Sequence, residues 1–207
     1  MELSEAIRRR RMVRSFSGRQ VDRELVDAIV ARSTTAPTAG NTGGWDVVVL
    51  AGARETAMFW RCTTTEHWRA RSRRWPGLSA APVIVVVFAD PEAYPRRYAE
   101  KDKTGATPGP DDIGLAESVE AWPVPYWFVD AGAAVMTLLL GAVDAGLGAC
   151  FLGNFRGETA LCHALGVPAD RRYVGAVLMG EPGGSDPPSA SLRRSGPRHD
   201  RVHQSRW

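Results

Sequence analysis

The sequence has few of the residues on which common catalytic sites depend. Its three cysteines, Cys62, Cys150 and Cys162, form no CxxC pair and leave an odd one out, which argues against a disulfide framework and favours a reducing compartment. Neither a GxSxG nor a GxxxxGKS/T motif is present, so a serine nucleophile elbow and a P-loop are excluded. His199 and His203 stand four residues apart, but no cysteine or carboxylate cluster completes their ligand set, and we predict no metal site.

Two further absences concern cofactor class and location. Gly146-Leu147-Gly148 could open a GxGxxG dinucleotide-binding motif, but Phe151 takes the third glycine position and the run follows a helix pattern rather than a strand pattern. The N-terminal stretch MELSEAIRRRR has no apolar signal-peptide segment, so we expect a cytoplasmic protein. The net charge is only +3, which does not by itself predict a polyanionic partner.

The apolar patterns that are present predict alternating helices and strands in a chain of single-domain length. We predict helices over residues 3–12 with Ser4 as N-cap, from an Asp22 N-cap to about Ser33, from Arg54 to about Arg74, and from Glu158 to Leu165. We predict strands from Trp45 to Leu50, from Pro82 to Ala89 and from Tyr173 to Gly180, and a further short apolar run from Ala149 to Leu152. About four strands and five helices would then form a three-layer domain of the α/β or α+β class.

The stretch from Trp127 to Asn154 begins with an apolar run of about five helical turns, which predicts a central helix that stops at Gly146-Leu147-Gly148. Its polar residues Asp130, Thr137 and Asp144 are spaced by seven and share one narrow face. We therefore expect a core helix that is buried on nearly every side, and the two aspartates argue against a membrane span.

Five arginines fall within the seven positions from Arg8 to Arg14. The residues alone leave three interpretations of this cluster open. It can be a solvated helix face, a nucleic-acid patch (although no HTH, RRM or zinc-finger pattern is present), or a site for a small phosphorylated ligand. Guanidinium groups suit phosphate because they form two parallel hydrogen bonds to its oxygens.

Residues 90–127 form a long segment with six prolines, which predicts a lid or insertion. Trp122, Tyr126 and Trp127 bound it on the core side, and they either anchor the segment or form a wall of a substrate pocket. Residues 181–207 are rich in Pro, Ser and Arg and predict an extended tail without a packed core of its own.

Four features, in order along the chain, resemble the nitroreductase family of FMN-dependent oxidoreductases. Arg10-Arg11-Met12-Val13-Arg14-Ser15-Phe16 is similar to the family signature Arg-Arg-Ser-x-Arg-x-Phe. The loop Ala36-Pro37-Thr38-Ala39-Gly40-Asn41-Thr42-Gly43-Gly44-Trp45 is similar to the family's Ala-Pro-Ser-x-x-Asn-x-Gln-Pro-Trp. The third feature is the central helix with its Gly-Leu-Gly ending and the following Gly153-Asn154, and the fourth is the basic segment from Arg193 to His203.

The chain departs from the family pattern at three of these features, and one of the departures is that the C-terminal basic segment is out of register with the family's usual Arg-Pro-Leu. Met12 stands in place of a serine, which removes one hydrogen bond to a phosphate. Gly43-Gly44 stands in place of Gln-Pro, and we expect this to remove a side-chain amide and loosen the loop.

The resemblance implies a fold and an assembly. The fold would be a three-layer α/β/α sandwich of the α+β class with a central mixed sheet, formed by one FMN-binding domain over residues 1–207. The assembly would be an intertwined homodimer around the central helix, with two FMN sites at the interface that are each built by both subunits. Neither nucleic acid nor a membrane is a partner in this interpretation.

The resemblance also implies roles for particular residues. The FMN phosphate and ribityl chain would be held by Arg10, Arg11, Met12 and Arg14, and Arg193, Arg194 and Arg198 would close over the same phosphate. The partner subunit would lay Pro37, Thr38, Ala39 and Asn41 along the isoalloxazine ring. Backbone N–H groups of Leu152, Gly153 and Asn154 would face the N5 and O4 edge of the ring. A cation among Arg71, Arg73 and Arg74 would favour the anionic reduced flavin.

The implied reaction is a ping-pong transfer of hydride from NAD(P)H through flavin N5 to an electron-poor acceptor such as a nitroaromatic or a quinone. The flavin would carry the chemistry, so no catalytic side chain is predicted. Trp122, Tyr126 and Trp127 would contact the acceptor. The alternatives are an FMN-dependent dehydrogenase or oxidase of a biosynthetic pathway, and a flavin-binding sensor without turnover.

Overall fold

The computed structural model describes residues 1–103, 113–154, 156–187 and 202–206. The helices within these residues are α1 (Leu3–Arg9), α2 (Arg23–Ser33), α3 (Ala53–Thr63), α4 (Glu66–Arg71), α5 (Trp75–Ser79), α6 (Ala93–Tyr98), α7 (Tyr126–Asp144) and α8 (Glu158–Leu165). The strands are β1 (Trp45–Ala51), β2 (Val83–Ala89), β3 (Gly148–Leu152) and β4 (Arg172–Gly180). Two 3₁₀ helices, Ala39–Asn41 and Val119–Ala121, lie in the connections.

The four strands form one sheet in the order β1-β2-β4-β3, with helices on both faces. Every residue of β2 is buried, as its β-branched sequence predicts for a strand covered on both sides. Ile84 and Phe88 belong to the core shared with α3 and α8, whereas Val83 and Val85 belong to the core shared with α2 and α7. The α+β class and the three layers are therefore confirmed.

The pairing within the sheet agrees only in part with the mixed sheet that we expected. All three ladders between the four strands are antiparallel. The one parallel pairing that the described residues show is an isolated bridge from Met12 to Ala149 of β3. The arginine segment thus adds a short parallel extension to the edge strand.

Local signals gave some helix boundaries correctly and others wrongly. The Asp22 side chain accepts a hydrogen bond from the Glu24 N–H at 2.9 Å and caps α2, and Gly166 ends α8 with a left-handed φ of 66°, both as predicted. In contrast, α1 ends at Arg9 and Ser4 lies inside it, so the predicted N-cap and length are wrong.

The single helix predicted from Arg54 to about Arg74 is also wrong, because α3 and α4 are separate helices. The Thr64 hydroxyl bonds back to the Trp60 carbonyl, and Thr65 accepts from the Trp68 N–H at 3.2 Å as the N-cap of α4. Three consecutive threonines favour such backbone bonds over a continuous helix. Arg69 then donates to the Trp60 carbonyl at 2.9 Å and fixes the break.

The central helix α7 is less buried than we predicted. Phe128, Val129 and Met136 are 42%, 53% and 46% exposed, so within one chain an apolar stripe faces outward and the helix is not buried on nearly every side. Only one side of α7 is covered, because the sheet and α2 pack there through residues such as Leu138. The helix is long and apolar enough to cross a membrane, with a mean hydropathy of 1.6, but half of that stretch is buried within the protein, as in a core helix.

Candidate functional site

The arginine segment lies against the edge strand β3. The Val13 N–H donates to the Ala149 carbonyl at 2.9 Å, and the Phe151 N–H donates to the Met12 thioether at 3.4 Å. The close approach depends on Gly148, because a Cβ at this position would stand 2.9 Å from Cγ1 of Val13. Met12 therefore uses its sulfur on the strand, in the place where the family pattern has a serine.

The chain that follows β4 holds the other end of the segment. The Ser17 N–H donates to the Glu181 carbonyl at 2.9 Å, and the Gly183 N–H donates to the Ser15 carbonyl at 2.8 Å. The backbone N–H of Arg14 donates to the Asp186 carboxylate at 3.2 Å. The first residues of the predicted tail thus fix the arginine segment in place.

The five arginines of this segment divide into two groups. Arg8 and Arg9 belong to α1 and pair with Glu5. The half-buried Arg14 donates from Nη1 to the Met12 carbonyl at 3.0 Å. Within the described part of the chain, the guanidinium groups of Arg10, Arg11 and Arg14 form no ion pair with a carboxylate, although the backbone N–H of Arg14 is bonded to Asp186. Their charge remains available to an external anion, which favours the phosphate interpretation over a solvated helix face.

Positive charge from this region also reaches the Cys150 thiol in β3. Burial raises the pKa of this thiol, and the charges of Arg14 and Arg74 act in the opposite direction. Arg74 is one of the arginines that we expected near the flavin ring. The charges of Arg14 and Arg74 therefore both act on β3, although the two arginines are far apart in the sequence.

A cavity of about 440 Å³ opens beside the residues that follow β3. Its volume is in the range of sites for small organic ligands. Leu152, Gly153 and Asn154 line one side, and the chain from Trp60 to Arg71 lines the other. The side-chain Nδ2 of Asn154 is buried and has no hydrogen-bond partner. Since buried N–H groups are nearly always paired, the cavity offers a place for a ligand acceptor.

Arg11 lies elsewhere, in a smaller cavity of about 180 Å³. Val143, Gly146 and Leu147, at the end of α7 and in the turn that follows, line this cavity with it. The arginine segment and the larger cavity thus border opposite ends of β3.

The predicted ring-contacting loop is fixed at the other end of the central helix. The buried Asp130 accepts from the Ala39 N–H at 2.8 Å and from the Tyr94 hydroxyl at 2.7 Å. Arg97 donates to the Gly40 carbonyl at 3.0 Å. Burial raises the pKa of Tyr94, and its hydrogen bond to the Asp130 carboxylate acts in the same direction. Tyr94 therefore remains a neutral donor that holds Asp130 and the loop.

Glycine at position 44 tightens this loop, contrary to our expectation that Gly43-Gly44 would loosen it. Gly44 is buried, and a Cβ there would stand 2.4 Å from the ring of Tyr94. Thr38 accepts from the Gly43 N–H at 3.0 Å and closes the turn. The remaining predicted residues of the loop, Pro37 and Asn41, are exposed.

One chain does not bring this loop to the arginine segment. The loop is bound to Asp130, near the start of α7, whereas Arg11 lies beside Val143, near its end. Thirteen residues separate these two positions, which corresponds to about 20 Å along the helix axis. Ala39 and Arg11 of the same chain therefore do not reach one small ligand.

The aromatic residues of the 90–127 segment form a cluster of their own. Trp122 is 7% exposed, and its ring lies 5.3 Å from that of Tyr94 and 4.8 Å from that of Tyr98. Trp127 also contacts Tyr94, at 6.0 Å, and neither tryptophan nor Tyr126 lines the cavity beside β3. Within one chain this geometry favours the anchoring interpretation for Trp122.

Three predicted phosphate contacts, Arg193, Arg194 and Arg198, lie outside the described residues. The sequence analysis did not identify Asp130 and Tyr94 as the residues that hold the loop. The one signal for them was an aspartate within an apolar helix, since a buried carboxylate needs partners. His67 and Arg156, which also line the large cavity, gave no signal.

The groups around β3 fit FMN. The three guanidinium groups without a carboxylate partner match a dianionic phosphate, whose oxygens accept charge-assisted hydrogen bonds. The unpartnered Asn154 amide and the exposed Gly153 backbone match the acceptors along a flavin ring edge. No carboxylate lines the large cavity among the described residues, so nothing there repels an anionic ring.

The known proteins to which this chain is similar agree with one another in their names. The profile of the Nitroreductase family matches residues 7–107 and 121–181. A candidate NADH dehydrogenase/NAD(P)H nitroreductase of Archaeoglobus fulgidus is 26% identical over 209 aligned positions, covering 100% of this chain and 99% of the relative. A 4-nitrobenzoate reductase of Nocardioides sp. is 26% identical, covering 84% of this chain and 78% of the relative. A candidate nitroreductase of Desulfovibrio desulfuricans, solved in complex with FMN, is 27% identical with a TM-score of 0.60, covering 95% and 98% of the two chains.

Proposed function

The chain belongs to the nitroreductase family, and from this premise we propose that it is an FMN-dependent oxidoreductase with NAD(P)H as electron donor and an electron-poor aromatic or quinone as acceptor. When bound, FMN would supply hydride transfer at N5, taking the hydride from NAD(P)H and passing it to the acceptor in a ping-pong cycle. The observation that carries the proposal is the set of arginines along β3 whose guanidinium groups lack a carboxylate partner. Relatives named for NAD(P)H and solved with FMN support it.

The residues of this chain would bind and orient the cofactor. Arg10, Arg11 and Arg14 would hold the phosphate, and Met12 keeps their segment on β3 through its sulfur. The backbone of Leu152 and Gly153 and the amide of Asn154 would face the ring edge. Hydrogen bonds there stabilise the negative charge that develops on reduction. Arg193, Arg194 and Arg198 remain proposed contacts of the same phosphate.

The site is proposed to be completed by a second copy of the chain. The loop of Pro37, Thr38, Ala39 and Asn41 would come from the partner, because the same chain holds it about 20 Å along α7 from Arg11. The exposed stripe of Phe128, Val129 and Met136 on α7 offers the apolar surface for such an interface. In α1, which contacts α7, Leu3 and Ile7 are 67% and 57% exposed and offer further apolar surface for such an interface.

We further propose one FMN-binding domain over residues 1–207, with residues 90–127 as a lid and residues 181–207 as a tail, in a cytoplasmic homodimer. In a dimer, the exposed face of the Trp122, Tyr126 and Trp127 cluster would border the partner's site. Tyr126 is 39% exposed and is the member best placed to contact an acceptor.

The first test is a visible absorption spectrum of the purified protein, repeated without oxygen after NADPH or NADH is added. We expect the absorption bands of a bound flavin, and we expect them to bleach. A flavin that stays oxidised would move the proposal to a biosynthetic dehydrogenase or oxidase that uses another donor, or to a sensor. A protein that binds no FMN after incubation with it would contradict the residue assignments.

A further inference from the structure

The loop that is proposed to contact the flavin ring contains an uncommon backbone conformation. Gly40 has a left-handed φ of 64°, and the next residue, Asn41, has a left-handed φ of 55°. Apart from Ser205, Asn41 is the one non-glycine residue with a positive φ in the part of the chain that the structure describes. Left-handed residues outside glycine cost free energy, so a turn with two in succession has to be held by other parts of the chain.

Helix α6 holds this turn from two sides. The Nε of Arg97 donates to the Gly40 carbonyl at 3.0 Å and so fixes the peptide group that joins Gly40 to Asn41. The ring of Tyr98 leaves no room for a side chain at Gly40, because a Cβ there would stand 2.6 Å from its Cε2. The Arg97 side chain is only 16% exposed, and a charged donor that is shielded from water forms a stronger hydrogen bond than one at the surface. α6 therefore positions Asn41 as well as Gly40.

Arg97 is itself held by two carboxylates of the 90–127 segment. Its Nη1 and Nη2 donate to the two oxygens of Asp102, each at 2.6 Å, and Nη1 also donates to Glu100 at 2.9 Å. Two parallel bonds to one carboxylate fix the orientation of a guanidinium group as well as its position. The side chain of Arg97 thus connects the 90–127 segment to the turn at Gly40.

We propose that Arg97 is a positioning residue of the flavin site, which couples the 90–127 segment to the loop that contacts FMN. It acts through the Gly40 carbonyl, because this bond holds Asn41 where it meets the flavin ring across the subunit interface. Asp102 keeps Arg97 in the required orientation, so a change in the 90–127 segment that moves Asp102 also changes how tightly FMN is bound. This inference rests on the proposed function, since it assigns a role within the FMN site of that activity.

The first measurement is amide hydrogen exchange of residues 38–43 in the full chain without FMN, followed by mass spectrometry. In Arg97→Gln we expect these amides to exchange about 10-fold faster or more, because the turn loses the donor that holds it. Arg96→Gln is the matched control, since Arg96 is the neighbouring arginine of α6 and donates to Asp90 rather than to the loop. Arg96 is 61% exposed and Asp90 keeps its ion pair with Arg171, so exchange in this control should stay within about 2-fold of wild type.

The second measurement is the affinity for FMN, together with the visible absorption spectrum of the bound flavin. We expect Arg97→Gln to weaken FMN binding about 10-fold and to shift the flavin bands towards those of FMN in water, because the ring loses contacts of the loop. A general loss of stability would not produce this spectral shift. Asp102→Asn should act in the same direction but less, because Arg97 keeps Gly40 and Glu100 as acceptors. Asp102 is 59% exposed, so this variant tests the proposal even if Arg97→Gln does not fold.

Loop amides that exchange no faster in Arg97→Gln, or that exchange equally fast in Arg96→Gln, would overturn the proposal. Faster exchange with unchanged FMN affinity and spectrum would also overturn it, because the loop would then be held without serving the flavin. An Asp102→Asn protein identical to wild type would overturn the coupling to the 90–127 segment. A wild-type flavin that NAD(P)H does not reduce would count against the proposed function alone, since all three quantities are measured without FMN or with oxidised FMN.

Discussion

At the scale of single residues, the bond between Tyr94 and Asp130 connects three parts of the chain. The Tyr94 side chain is fully buried, and its hydroxyl donates to a carboxylate that also holds the Ala39 N–H. Since α6 carries Tyr94 and α7 carries Asp130, one pair of side chains positions the loop that is proposed to contact FMN. The loop geometry therefore depends on the phenol remaining protonated.

This dependence predicts a loss of stability at high pH. Burial and the Asp130 carboxylate raise the pKa of Tyr94 above its ordinary value of 10.0, so the folded chain keeps the proton after the unfolded chain has released it. The contribution of Tyr94 is complete below pH 10 and declines as the pH rises further. In Tyr94→Phe we expect a free energy of unfolding about 1–3 kcal/mol lower at neutral pH, because Asp130 loses a donor.

Urea denaturation at neutral pH and above pH 10 measures both effects. The difference in the free energy of unfolding between wild type and Tyr94→Phe should become smaller as the pH rises. A constant difference would mean that the phenol does not titrate differently in the two states. Tyr173, whose pKa burial also raises, is unchanged in both proteins and cancels in the comparison.

At the scale of elements, the contact between β3 and the arginine segment leaves no room for a side chain at position 148. Gly148 and Val13 are both buried, and Val13 is β-branched and stiff about χ1. A methyl group at position 148 therefore has to displace the segment or the strand. The positions of Arg10, Arg11 and Arg14 follow from this packing.

Gly148→Ala should accordingly lower stability and FMN affinity together. We expect a cost of about 1–3 kcal/mol from overpacking, with weaker FMN binding as the arginines move. Chemical denaturation and FMN fluorescence titration measure the two quantities. Gly184→Ala is the control, because nothing lies within 4 Å of a Cβ there. Lower stability with unchanged FMN affinity would show that the segment does not position the phosphate contacts.

At the scale of the whole molecule, the exposed stripe on α7 and the separated halves of the site point to the same assembly. Val129 and Met136 are about half exposed in the middle of an apolar helix, which is unusual for a surface that stays in water. The loop at one end of α7 and the arginines near the other would meet only when two chains associate.

Met136→Glu should therefore convert a dimer to a monomer and weaken FMN binding in the same protein. A buried charge without a partner at an interface costs several kcal/mol, which is enough to dissociate most dimers. Analytical ultracentrifugation gives the oligomeric state, and Met136→Leu is the control that keeps the apolar surface. A wild-type monomer that binds FMN with full affinity would refute the two-subunit site.

The elements that the sequence determined by itself are those with short-range signals. Asp22 and Gly166 mark helix ends through bonds and dihedral angles within one turn, and the β-branched run of β2 requires burial on both faces. The arginine cluster and Gly153-Asn154 could also be identified as candidate site residues from the sequence, because residue type alone indicates which groups can bind a phosphate or a ring edge. These signals gave the fold class and the family.

Only the tertiary structure decided which surfaces are covered and which side chains meet. The bond between Tyr94 and Asp130 joins residues far apart in the chain, and so does the cavity that Arg71 and Arg156 both line. The exposed face of α7 is the surface that the other elements of the chain leave uncovered. No local period encodes such contacts, because they depend on how whole elements pack. The break between α3 and α4 has a different origin, because the three consecutive threonines are a local signal that the sequence analysis missed; Arg69 then donates to the Trp60 carbonyl across the break.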